Sequence, residues 1–276
     1  MSGPTILHPT DLLPHSDGAL AHALRIALAQ KGLLEMVHVA GAPVEGERNR
    51  FPDIRSLLDG WGALSKRADT KEIEALDVEW TTVHLPPESP SEALVRDVSH
   101  HPVDLIVLRT EPLSGLSRFV GVSVGDALVA RGGAPVLLLA QGVSGFVTAS
   151  TGDVSLKHII IGVENAYLAD LAIDATVRLL HKVAPTGVEV TLVHVSDRDE
   201  FPAIDAPDID GWSFTKRTLT GSVTKALLAA ADGNGADLIV LATRGRDSLG
   251  DALFGTTLQQ VLRDSRCAVM SIPGRS

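Results

Sequence analysis

The sequence is poor in several things, and each shortage removes a class of protein. It holds one cysteine, Cys267, so no disulfide can form within the chain, and a reducing, cytoplasmic compartment is the expectation. Positive charge is short: 24 Lys and Arg stand against 34 Asp and Glu, for a net charge of −10. A surface that neutralises nucleic-acid phosphates needs the opposite sign, so nucleic acid is not an expected partner. No apolar run approaches the roughly 18–20 residues that span a bilayer. The first residues, MSGPTILHPTD, lack a basic stretch followed by an apolar core, so neither a membrane segment nor a secretory signal is expected. The phosphate loop G-x-x-x-x-G-K-[ST] of motor-type NTPases is also missing. Ser, His and Asp residues occur without the strand–elbow–helix context of a hydrolase nucleophile.

What is present is apolar material, and it is repeated. Hydrophobic residues make up 45% of 276, enough for two cores, which fits two domains of about 100–150 residues. The run DLIVL occurs at 104–108 and again at 237–241. Residues 115–140, GLSRFVGVSVGDALVARGGAPVLLLA, align without gaps to 248–273, SLGDALFGTTLQQVLRDSRCAVMSIP. TILHPTD at 5–11 resembles HIIIGVE at 158–164, and each copy has a later strand ending in His-Val, at His38-Val39 and His194-Val195. Duplication is the simplest account. Two domains, 1–143 and 144–276, are therefore expected, joined by the Gly-, Ser- and Thr-rich linker QGVSGFVTASTGDVS at 141–155.

Within each copy, short apolar runs with the hydrophobicity of strands buried on both faces alternate with helical periodicity. Leu20, Ala23, Leu24, Ala27 and Leu28 share one helical face, as do Leu168, Leu171, Ala172, Ala175 and Leu179. Such alternation specifies an α/β doubly wound, parallel sheet with right-handed crossovers. The copies differ in one place. The first has a helical pattern around Ile54–Leu76, whereas the second has only DRDEFPAIDAPDID at 197–210. Two prolines and six acidic residues in that stretch argue against a helix, so the second copy is expected to lack its second helix. A solvated loop is the plain reading of those carboxylates. They lack the regular spacing of a calcium loop.

The stretch ESPSEALVRDVSHHPVDLIVL at 88–108, followed by SGLSRF at 114–119, makes the chain resemble the universal stress protein family in its tandem form. The resemblance implies two tandem open parallel five-stranded sheets, each of strand order 3-2-1-4-5 with helices on both faces. Many members of that family bind ATP and others do not. In the binders an acidic residue ends the first strand, and a loop Gly-x-x-Gly-(nine residues)-Gly-Ser/Thr follows the fourth. The chemistry is intelligible without the name: ligands of open α/β sheets sit at the strands' carboxyl ends, at the switch point between first and fourth. There a carboxylate accepts from ribose hydroxyls, glycines let backbone N–H groups reach phosphates, and a helix N-terminus favours negative charge.

The second copy keeps most of this loop: Ala242-Thr-Arg-Gly245, nine residues, then Gly255-Thr256. Ala242 departs from glycine by one methyl, and Glu164 stands where the family has Asp. The resemblance thus assigns nucleotide contacts to Gly162, Val163, Glu164, Val195, Leu241, Ala242, Arg244, Gly245, Gly255, Thr256 and Thr257, with Arg246 adding nearby charge. The structural alternative is a tight turn with Thr256 as a helix cap. In the first copy Asp11 fits the acidic position, but the loop reads Arg109-Thr-Glu-Pro112, nine residues, then Val122-Ser123, with all three glycines gone. Proline has no N–H and Glu111 repels phosphate, so this copy is expected not to bind.

The expectation is a stress-response regulatory protein holding one ATP or other adenine nucleotide per chain, with or without Mg²⁺, in the C-terminal domain. It would act through ligand-dependent interaction rather than turnover. Slow hydrolysis or phosphate transfer to Thr256 or Thr257 stays open. The alternative is a scaffold that binds no nucleotide and works through an unidentified protein partner. In the family the fifth strand mediates dimers. Here PVLLLA and CAVMSIP would pair internally, and a homodimer of chains stays open. No catalytic residue or metal ligand is assigned. His100-His101 lacks companion ligands, and Cys267 reads as a small core residue.

Overall fold

A computed structural model describes residues 3–40, 50–110, 123–198, 200–243 and 256–274, and says nothing of the side chains of His15 and Thr256. The first half runs β1 (Thr5–Pro9), α1 (Asp17–Gln30), β2 (Leu33–Val39), α2 (Ile54–Gly60), α3 (Thr70–Ala75), β3 (Glu79–Leu85), α4 (Pro90–His100), β4 (Leu105–Thr110), α5 (Val124–Arg131) and β5 (Val136–Ala140). The second runs β6 (His158–Val163), α6 (Ala166–Leu180), β7 (Val188–Val195), β8 (Trp212–Leu219), α7 (Val223–Asn234), β9 (Leu238–Thr243), α8 (Thr256–Asp264) and β10 (Ala268–Pro273).

The repeated DLIVL run shows how sequence becomes sheet. Its apolar residues alternate between two cores: Leu105 and Val107 face one, Ile106 and Leu108 the other. Its aspartate does a separate job at the amino end of the strand. Asp104 accepts from the Thr5 N–H at 3.0 Å, and Asp237 accepts from the Lys157 and His158 N–H groups at 2.7 and 3.0 Å. A carboxylate thus ties the fourth strand of each half to its first. On one sheet face lie α1, α2 and α6, and on the other α4, α5, α7 and α8.

All ten strands form one sheet, in the order β3-β2-β1-β4-β5-β10-β9-β6-β7-β8. Each half keeps the expected order 3-2-1-4-5, and every named pairing is parallel except one. β5 and β10 run antiparallel, with Leu138 opposite Val269 and Val136 opposite Ser271. The two five-stranded sheets are therefore continuous through their fifth strands. Because that seam is antiparallel, the carboxyl ends of the first half's strands lie on one edge of the sheet. Those of the second half lie on the opposite edge.

Three segments differ from the sequence reading. The helical pattern over Ile54–Leu76 is two short helices, because Gly60 and Gly62 (φ +70°) interrupt it. Asp53 and Asp69 cap the pieces by accepting backbone N–H groups of Ser56 and Glu72. The linker is not a loose tether: Phe146, Val147 and Leu156 are 0–3% exposed, and Val147 bridges Val154 as a small hairpin. Trp61 donates its indole N–H to the Ala149 carbonyl at 2.9 Å. Gly152 (φ +71°) lies against the same ring, where a Cβ would come within 2.6 Å of Trp61 Cε3.

The third segment is the acidic stretch between β7 and β8, which carries no helix among the described residues. It is anchored rather than freely solvated. Ile204 is 3% exposed and belongs to the core, and its carbonyl accepts from Lys216 Nζ at 2.5 Å. Phe201 lies beneath the Lys216 ammonium at 5.7 Å, while Glu200, Asp205, Asp208 and Asp210 stay exposed. Ile204 is buried in the same core cluster as Ile54 and Leu58 of α2.

Candidate functional site

The switch point of each half is where the ladder between its first and fourth strands stops. In the second half β6 and β9 pair through Gly162 and Leu241, while β6–β7 and β9–β10 pair further on. Past Gly162 and Leu241 the two central strands part. Val163 and Glu164 lie on one side of the resulting crevice and Ala242 and Thr243 on the other. Gly162 packs so closely that a Cβ there would stand 2.6 Å from Leu241 Cδ2.

The assigned residues divide by what they can offer. Glu164 is exposed at the end of β6, and Ala242 is half-buried across the crevice. Val163 and Leu241 are buried, so only their backbones face the crevice. The Val163 carbonyl already accepts the Nδ1–H of His194 at 2.9 Å, which holds the ends of β6 and β7 together. Val195 ends β7 half-buried against the other core. Two helices start at this edge. Asn165 caps the fifteen-residue α6 by accepting the Leu168 N–H at 3.0 Å. Thr256 opens α8, and Thr257 is half-buried in its first turn. Thr224 on α7 fixes α8 by donating its hydroxyl to Gln260 Oε1 at 2.9 Å. Arg244, Gly245 and Gly255, like Arg246, lie outside the described residues.

Sequence reasoning missed two features of this edge. His194 marks the repeat, and the structure shows that it also fixes the carbonyl beside Glu164. Its partner in the first half, His38, donates in the same way to the Thr10 carbonyl at 2.9 Å, so the shared His-Val was the available signal. Tyr167 stands 53% exposed on the first turn of α6, near Glu164. Nothing in the sequence pattern marked it.

The first half is built differently at the same register. Between β1 and β4 the ladder ends at Leu7 and Ile106, one step before Val107 and two before Leu108. Pro9 has no N–H to extend it. Instead His8 sits in the gap, 1% exposed, donating Nδ1–H to the Val107 carbonyl at 2.9 Å. Its Nε2 has no partner among the described residues, and burial holds its pKa below the usual value, against the pull of Asp11 and Asp17. Ile161 occupies this register in β6. The Asp11 carboxylate accepts from the Leu13 N–H at 2.9 Å and from the Ser16 hydroxyl at 2.8 Å, so it builds its own turn. Arg109 stands where the second half has Ala242. Residues 111–122 lie outside the described set.

Other candidates resolve more plainly. Residues 121–125 spell the letters G-x-S-x-G, but Ser123 Oγ accepts the Asp126 N–H at 3.0 Å and caps α5. His100 and His101 end α4, bonding Arg96 O and Asp97 within their own helix. The Cys267 thiol is buried, which pushes its pKa up to about 12 with help from Asp237 and Asp232. A thiol so disposed is a poor nucleophile. Among the described residues no three His, Cys, Asp or Glu side chains gather as metal ligands. No helix among them is long and apolar enough to cross a membrane.

Comparison with known proteins agrees with this architecture. The model of the universal stress protein family matches residues 4–140 and 211–273. No curated protein matches the sequence. Among solved structures, a universal stress protein from Archaeoglobus fulgidus superposes over 99% of this chain and 97% of its own, at TM-score 0.63 and 18% identity. A functionally unknown protein from Pseudomonas aeruginosa PAO1 superposes over 98% and 92%, at TM-score 0.59 and 15% identity. At such identities these likenesses speak for the fold alone.

Proposed function

The chain belongs to the universal stress protein family, and from that premise we propose that its second half binds one adenine nucleotide, ATP, as a regulatory ligand. The observation that carries the reading is the crevice beyond Gly162 and Leu241. There an exposed carboxylate, Glu164, follows the end of β6, a small residue, Ala242, continues β9, and two helices begin at the same edge. A carboxylate suits ribose hydroxyls, and helix N-termini suit phosphates. Tyr167 offers an exposed ring for a base to stack on. Thr256 and the loop from Arg244 to Gly255 would hold the phosphates, with Mg²⁺ as an optional companion. Binding would alter a surface that a protein partner reads, without requiring turnover.

The test is direct. The protein is purified without added ligand and denatured, any released small molecule is identified by mass spectrometry, and the apo chain is titrated calorimetrically with ATP. One ATP per chain is the expected result. Two per chain would overturn the assignment to one half. An empty protein that ignores millimolar ATP would overturn the reading and leave the second one, a scaffold acting through protein partners. That second reading is favoured by the first half, where His8 fills the switch point and Asp11 is spent on its own turn.

A further inference from the structure

One histidine is engaged by backbone at both ring nitrogens. His22, on the second turn of α1, donates Nδ1–H to the Gly18 carbonyl at 2.7 Å. Its Nε2 accepts the N–H groups of Phe146 and Val147, at 2.9 and 3.0 Å. A ring nitrogen that accepts two N–H groups carries no proton, so this arrangement exists only for neutral imidazole. The Phe146 ring meets the imidazole edge-on, with centroids 4.7 Å apart. Gly145 comes just before, at φ +71°, and a Cβ there would overlap His22 Nε2. Only glycine lets the chain pass this close.

We propose that His22 is an acid-operated catch on the segment joining the two halves: protonation releases the Phe146 and Val147 amides, and residues 144–157 lift off α1. Release would bring Phe146, Val147 and Leu156, now 0–3% exposed, to the surface as a new apolar strip. The device needs no change in the sheet, because the halves stay joined through β5 and β10.

Burial holds the His22 pKa down to about 4, against the Gly18 carbonyl. Other charged groups on the elements around it are Asp17 and Arg25 of α1, Asp59 of α2 and Asp153 of the segment itself. None enters the balance at His22. β5 carries no ionisable side chain. An imidazole released into water returns to about 6.5. Linkage then favours the released state over the held one by about 120-fold more at pH 4 than at pH 7.

Amide exchange of the full chain tests this, with rates corrected for the intrinsic effect of pH. Exchange of Phe146 and Val147 is expected to rise by about two orders of magnitude between pH 7 and pH 4, while β9 amides stay protected. His22→Gln, uncharged throughout and still able to accept, is expected to flatten that response. Three results would overturn the proposal: protection of both amides that persists to pH 3.5, loosening only in step with β9, or a pH response that survives in His22→Gln. The wild-type profile decides even where the variant folds poorly.

Discussion

The two halves share a register and differ at one crevice. Both tie the fourth strand to the first through the aspartate of DLIVL, and both hold the second strand's end with a histidine. At the switch point they part ways. The second half runs its ladder as far as Gly162 and Leu241, with Ala242 as the next residue of β9. The first half interrupts its ladder at Leu7, inserts His8 and places Arg109 over the neighbouring position. The two copies therefore keep the parts that fix strand positions and differ in the residues that line the switch point. A strand end tolerates this because its side chains face a gap, whereas a change of register would turn every core residue to the wrong face.

The comparison can be pressed hardest where the halves use different means for one end. Leu58→Ala in α2 and Ile204→Ala in the acidic loop should each cost about 2–5 kcal/mol in denaturant unfolding, since both side chains are buried. A cost below about 1 kcal/mol at Ile204 would show that the loop does not replace the missing helix. Acid should separate the halves next. The His22 pKa, about 4, lies below its ordinary 6.5, so its contribution is fully present above pH 6.5 and is lost as pH falls from 6.5 towards 4. That loss is at most about 3 kcal/mol. His8 is shifted in the same direction, and both belong to the first half. Urea midpoints at pH 7 and pH 4 would measure it, and a flat profile would contradict the burial of these two rings.

Transplanting the first half's residue gives the next effect. Ala242→Arg should weaken ATP binding at least about 100-fold, or roughly 3 kcal/mol, in a calorimetric titration. Arg109→Ala should leave the first half unable to bind, because His8 and Asp11 remain. Unchanged affinity in Ala242→Arg would place the ligand elsewhere. The smallest effect concerns the helix starts. Asn165→Ala should cost about 1 kcal/mol in thermal or denaturant unfolding by uncapping α6. The first half has no equivalent to lose, since Ser16 makes no side-chain cap bond at α1.

Much of the fold was legible because its signals are periodic. The runs DLIVL, PVLLLA and HIIIGV are strands buried on both faces, and their alternation with helices specifies a parallel sheet, while the strand order came from the family resemblance. Internal pairing of the fifth strands followed from the repeat together with the family's use of that strand in dimers. The packed linker was not, because Gly, Ser and Thr say nothing of the partner that orders them. Phe146 takes its place only because His22, 124 residues earlier, supplies the acceptor. The anchoring of the acidic loop likewise depends on a few apolar residues scattered among carboxylates, Ile204 buried and Phe201 and Ile209 half-buried against the core. At the candidate site the residues ending β6, β7 and β9 could be named from the family resemblance. The filling of the other crevice by His8 depended on a missing proline N–H, visible in the letters but not in their periodicity.

The seam between β5 and β10 has a consequence for concentration. Two separate subunits joined by a three-residue antiparallel register would come apart on dilution. Within one chain each edge sees the other at an effective concentration of order millimolar, whatever the amount of protein. The seam therefore holds at the lowest expression level. It also fixes stoichiometry, since each copy of one crevice brings one copy of the other, facing away from it across the sheet.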